Sequence, residues 1–169
     1  QLEVASAIVQ ELNAVTTGAN NQLAATAHYL SSRMKGSSGP LRAGGDDLLA
    51  PYLAGDLLSL RYTSREGSIL EVGDRGRSRE EAVGSSLFEA FATAMQGEPY
   101  VGRPVPRRGA GDAVAPCVVV ALPVRADGEV RGVLAGVVDL SAPWARSVAS
   151  LGANYIVFGL DDGGTLFAS

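Results

Sequence analysis

Residues 118–140 read VVVALPVRADGEVRGVLAGVVDL, two apolar runs flanking Ala126-Asp127-Gly128-Glu129. Asp-Gly between two such runs is the strongest short-range hairpin signal, because both turn residues must take positive φ. The stretch therefore predicts a long strand over 113–124, a tight turn, and a partner strand over 130–140. The second run is apolar almost throughout, as expected of a central strand covered on both faces.

Upstream, Leu57–Thr63 and Ser68–Val72 flank Ser64-Arg65-Glu66-Gly67 and predict another antiparallel pair. Between the two hairpins, Ser85-Ser86 opens a predicted helix with Leu87, Phe88, Phe91 and Met95 on one face, and Gly97 stops it. Tyr100–Val105 reads as an edge or bent strand, cut by Pro104 and Pro106. Arg107-Arg108-Gly109-Ala110-Gly111 reads as a solvated basic loop. The polar stretch 73–81 reads as a loop, Asp46 or Asp47 as the cap of a short helix over 48–53, and 143–150 as a helix with Pro in its first turn. A last predicted hairpin spans 155–168.

The first 35 residues predict one long helix. Leu2, Val9, Thr16, Leu23 and Leu30 recur every seven residues, with Ala5, Leu12, Ala19 and Thr26 interleaved. Ala and Thr dilute this stripe, which fits a helix packed on its own domain, and also a homodimer through the helix, better than a free coiled coil. The order helix, hairpin, helix, three strands, helix, hairpin predicts an α+β fold: a PAS-like antiparallel five-stranded sheet with a long N-terminal helix, plus a C-terminal hairpin. The divisions expected are 1–35 for the helix, 36–150 for the main module and 151–169 for the extra hairpin.

Composition bounds the function. The chain has 169 residues, 46% hydrophobic and 19% charged, enough apolar material for one core. Net charge is −4, against a nucleic-acid partner, which requires a concentrated basic surface. There is one His (His28), one Cys (Cys117) and one Lys (Lys35) against 13 Arg. One His and one Cys cannot form a Cys/His zinc site and supply little for a nucleophile–base pair, so neither metal, cofactor nor enzyme activity is expected. A hydrolase or lyase fragment lacks a plausible acid–base pair. No signal peptide or run of ~18 apolar residues is visible. The chain starts at Gln1 inside a helical pattern, as an excised segment of a longer protein would.

These phrases together resemble the Cache family, the PAS-like extracytoplasmic sensor domains of bacterial chemoreceptors (methyl-accepting chemotaxis proteins) and sensor histidine kinases. The best match is the 118–140 hairpin, with its Pro123-Val124, Asp127-Gly128, Gly132-Val133-Leu134 and Asp139-Leu140. Glu66-Gly67 in the first hairpin and Glu98-Pro99-Tyr100-Val101 match loosely. The resemblance implies a periplasmic ligand-sensing domain of a membrane-anchored receptor, kinase or cyclase, with the long helix running toward the membrane. It also implies that 151–169 either begins a second module or serves the first alone. In the amino-acid-binding branch an Arg and an aromatic pair precede the third strand. Phe88–Tyr100 holds no Arg and no Trp, and Ala121-Leu122 stands where a Ser is usual, so amino-acid sensing is not expected. A cytosolic GAF-like regulatory domain is the alternative for 127–140.

A pocket in such a fold lies between the sheet and the helix and loop covering it, mostly apolar with a few placed polar groups. The candidates are Arg61 and Tyr62 on the first strand, Phe88 and Phe91 on the helix, Tyr100 and Arg103 after it, and Cys117. An Arg beside a Tyr suits a carboxylate, the guanidinium donating two parallel hydrogen bonds and the phenol a third. The expected ligand is a small organic acid such as acetate, on Arg61 or Arg103 with Tyr62 or Tyr100. The resemblance implies that Asp139 receives ligand amines, whereas its place at a strand end favours a cap for the next helix. Cys117 reads as a small buried hydrophobe, and His28 as an ordinary helix residue.

Overall fold

The computed structural model describes residues 2–35, 48–73, 81–108, 114–150, 159, 160, 164 and 166–168. The hairpin that decides the fold forms as expected: β5 (Val114–Ala126) pairs antiparallel with β6 (Glu129–Asp139) from Cys117↔Asp139 to Ala126↔Glu129. Asp127 and Gly128 turn the chain with φ of +54° and +81°, the double positive that a two-residue primed turn demands. Replacing Gly128 by Ala forces a Cβ into that conformation. It is expected to cost about 1 kcal/mol in a urea melt, with unchanged cooperativity.

β1 (Leu57–Ser64) lies on the other side of β6 and is flanked by β2 (Ile69–Gly73). On the opposite edge, β3 (Tyr100–Val101) and β4 (Val105–Arg108) pair end to end along β5. The order β2-β1-β6-β5-β3/β4 gives five positions filled by six strands, with β6 in the middle. The expected edge strand over 100–105 is thus broken at Gly102–Pro104 and resumes. Arg107 and Arg108, expected in a loop, belong to β4. The phrase Val105-Pro106-Arg107-Arg108 forms an edge strand because Pro106 lacks only a donor, which an edge position can spare.

Helix α1 (Leu2–Met34) covers one face of the sheet. At 1.5 Å per residue, a helix of 33 residues is about 50 Å long. Ala19, Leu23, Thr26, Ala27, Leu30 and Met34 are buried against Leu60, Tyr62, Val120, Leu134 and Val138. The heptad stripe holds in this half only. Ala5 and Val9 are exposed, and Ile8 is buried instead, against Trp144 of α3 (Ser141–Ala149). The reason is a change of neighbour: beyond Leu12 the helix meets α3 rather than the sheet. His28 is exposed.

Helix α2 (Glu81–Met95) covers the other face, burying Val83, Leu87, Ala90 and Ala94 against Cys117, Val119, Val133 and Val137. It begins four residues before the expected Ser85 start. Phe88, expected on the buried face, is 73% exposed. One residue past Leu87 is a rotation of ~100°, which takes it off the core stripe. Over the short helix expected at 48–53, Leu48 and Leu49 are α-helical and lead into a 3-10 turn, Ala50–Tyr52. β7 (Gly159–Leu160) and β8 (Leu166–Ala168) form a two-stranded hairpin beside β4 and β5. The expected features in 36–47, 74–80, 109–113 and 151–158 lie outside the described residues.

Candidate functional site

Side chains on a strand alternate between faces. On β1 this sends Ser59, Arg61 and Thr63 toward α2 and Leu60 and Tyr62 toward α1. A cavity of about 220 Å³ lies on the α2 side. β1 supplies Arg61 and Thr63 to it, and their register partners on β6 supply Ala135 and Val133. α2 closes it with Leu87, Phe88 and Phe91, and Gly84 adds no side chain to narrow the space.

Arg61, Phe88 and Phe91 are therefore brought together, as expected. Arg61 is half-buried, and its guanidinium has no ion-pair partner among the described residues. A guanidinium has the donor geometry to take a carboxylate through two parallel hydrogen bonds. The Thr63 hydroxyl is the other polar group of the lining.

The remaining candidates go elsewhere. Tyr62 is buried on the α1 face, its ring lying over Gly132, where a Cβ would come 2.7 Å from Tyr62 Cε2. Its hydroxyl donates to the Arg131 carbonyl at 3.3 Å, and burial pushes its pKa up to about 12. Tyr62 is a core residue and cannot join Arg61 on a ligand. Tyr100 shares the face and the row of Arg61, through Arg61↔Ala135↔Ala121↔Tyr100. Three strand spacings put it roughly 14 Å away. Its hydroxyl donates to Glu89 at 3.0 Å, and burial, then Glu89, raises its pKa to about 12. Arg103 lines a different cavity of about 290 Å³, between α1 and the β3–β4 connection. Cys117 is fully buried, its thiol reaching the Val105 carbonyl at 3.6 Å.

Asp139 sits on the α2 face, four residues beyond Ala135, roughly 13 Å along the strand. Both its oxygens are taken. Oδ2 accepts from Arg107 Nη2 at 2.7 Å, and Oδ1 accepts from the Ser141 N–H at 2.8 Å and the Ser141 hydroxyl at 2.6 Å. Burial opposes the charge, but these hydrogen bonds prevail and hold the carboxyl below its ordinary value. The carboxylate that the resemblance assigns to ligand amines is thus engaged by the chain's own cation. Arg107, expected in solvent, is 7% exposed. The sequence signal was Asp139 itself, a carboxylate closing an apolar strand and needing a partner. Thr63, Val133 and Ala135 were also missed, although period two from Arg61 marks Thr63.

α3 connects this cluster to α1. Its N-terminus is held by Asp139, and its Arg146 and Ser147 both bond Glu11 of α1, with Arg146 Nε at 3.1 Å. The Ser147 hydroxyl is the main reason the Glu11 carboxyl lies below its ordinary pKa. Among the described residues no three His, Cys, Asp or Glu gather as a metal site requires, and no helix is long and apolar enough to cross a membrane.

No family model and no curated protein matches the sequence. Solved structures do match it in fold. The ligand-binding domain of the Pseudomonas aeruginosa amino acid chemoreceptor PctC, in complex with GABA, superposes with a TM-score of 0.65 at 19% identity, covering 99% of this chain and 72% of that one. The ligand-binding domain of the Campylobacter jejuni chemoreceptor Tlp3, in complex with L-valine, gives 0.67 at 12% identity, covering 99% and 68%. The periplasmic sensory domain of the C. jejuni chemoreceptor Tlp1 gives 0.54 at 14%, covering 92% and 64%. The chain has the fold of the ligand-binding sensory domains of bacterial chemoreceptors. The Cache-like resemblance read from 118–140 is thereby extended to the arrangement of the whole sheet and its covering helices.

Proposed function

We propose that this chain is a ligand-sensing domain of a membrane-anchored chemotaxis or signal-transduction receptor, facing the periplasm. In this reading residues 36–150 are the binding module and the helix over 1–35 carries the signal. The ligand is a small organic acid such as acetate, its carboxylate on Arg61 in the cavity under α2. The observation that carries this is the half-buried Arg61 guanidinium, without an ion-pair partner among the described residues, facing a cavity with apolar walls. Pockets for drug-sized ligands run from about 300 to 1,000 Å³. At about 220 Å³ this one suits a smaller molecule.

The related structures support the general role, since those of PctC and Tlp3 hold small molecules that carry a carboxylate, GABA and L-valine. Signalling requires that ligand favour one of two arrangements by differential affinity. The links from the sheet to α1 include the direct contact of Leu23 with β6 and the path through α3 by Asp139 and Glu11. Dimerisation through α1 would then pass the change to a partner copy.

Truncating one partner of a desolvated charge contact costs 2 kcal/mol or more, at least about thirtyfold in affinity. Arg61→Ala should therefore weaken calorimetric binding of small carboxylates by that factor, with the melting temperature of the ligand-free protein little changed. Undiminished affinity would sink the assignment.

A further inference from the structure

We infer that the preferred ligand is a monocarboxylate with a branched or aromatic apolar body and no amino group, rather than a zwitterion or acetate itself. The inference rests on reading the α2-side cavity as the ligand site, and it comes from the distribution of charge and apolar surface around that cavity. Among the described residues the lining carries one charge, that of Arg61, and no carboxylate. A ligand ammonium would be withdrawn from water beside a like charge, with no acidic lining group to receive it.

The other acids on this face lie outside the lining. Glu71 stands directly across from Arg61 on β2, half-buried and engaged in a contact of its own. Glu89 accepts from Tyr100, and Asp139 is engaged by Arg107 and Ser141. The single cation fits one carboxylate.

The rest of the lining is built for carbon. Leu87, Phe88 and Phe91 face Val133 and Ala135 across the space beyond Arg61. Phe88 is 73% exposed, and Ile69, register partner of the lining residue Thr63, is 49% exposed. Of the two, Phe88 lines the cavity and Ile69 stands next to a lining residue, and neither joins the core clusters. A ligand with an apolar body would cover part of that surface, and acetate is too short to reach it. Each buried methylene is worth about a fourfold gain in affinity.

The test is calorimetric titration of the 169-residue chain with acetate, 3-methylbutanoate and L-valine, the last two differing only by the α-ammonium. The expected result is that 3-methylbutanoate binds at least about tenfold more tightly than either of the others. Phe88→Ala, at a solvent-exposed position, should weaken 3-methylbutanoate severalfold and acetate by less; equal weakening of both overturns the inference. L-valine binding as tightly as 3-methylbutanoate, or acetate matching it, overturns the inference. If Arg61→Gln still abolishes binding in that case, the site itself survives. Failure of all three to bind at millimolar concentration overturns both the inference and the proposed site.

Discussion

Asp139→Ala is expected to destabilise the domain by about 3 kcal/mol, the low end of the cost of breaking a buried ion pair, because Asp139 retains 23% exposure. The larger part of that cost falls on what is left behind. Arg107 is 7% exposed, and its Nε is already buried without a hydrogen-bond partner. Removing the carboxylate leaves the buried guanidinium with the Ser141 hydroxyl, 3.3 Å from its Nη2, and no opposing charge among the described residues. Removing both charges avoids this, so Arg107→Met combined with Asp139→Ala should be less damaged than Asp139→Ala alone. A double variant that is the worse of the two in urea melts would refute the account.

The same pair gives a pH dependence with a definite sign. The folded Asp139 carboxyl lies below the ordinary 3.8, so its stabilisation is complete above that value and is lost as pH falls through the folded value. Urea midpoints of the parent and Asp139→Asn should be well separated at neutral pH and converge in acid below 3.8. Parallel profiles throughout would mean that the carboxylate contributes no charge-dependent stability.

Leu23→Ala carries the other large effect, about 3 kcal/mol. Leu23 is fully buried and fills the notch that Gly136 opens in the central strand: a Cβ on residue 136 would lie 2.9 Å from Leu23 Cδ1 and 2.8 Å from Leu57 Cδ2. Gly136→Ala alone should cost about 1–2 kcal/mol by crowding two side-chain ends. Combined with Leu23→Ala it meets less opposition, so the double variant should fall short of the additive loss by about 1 kcal/mol. Strict additivity would show that helix and strand do not interlock here. Because this contact is a direct link from sheet to α1, the Leu23 variant also measures how firmly the proposed signalling helix is held.

In the proposed reading the anion is held by a side chain that the fold leaves facing a cavity. A five-position sheet separates two apolar layers, and the polar groups sort by face. Arg61 is left facing a cavity, while Arg107 is consumed in tying β4, β6 and α3 together. The two arginines differ in what surrounds them, since one has a carboxylate within reach and the other has none in its cavity lining.

Elements whose causes are local are legible in the residues alone. Asp127-Gly128 must turn the chain because few other pairs accept two positive φ values. The apolar run after it must be central because both of its faces need cover. Period two on β1 also contained an overlooked fact: Arg61 and Tyr62, being adjacent, cannot serve one pocket. Tertiary structure alone decided that Arg61 faces a cavity, because that depends on how α2, with Gly84 in its first turn, seats over Thr63 and Val133. It alone decided that Arg107 is structural, since its partner lies 32 residues away and is brought to it across β5. It also decided that α1 keeps its heptad stripe only where the sheet lies beneath it, for burial is set by the neighbour a residue meets and not by its spacing along the chain.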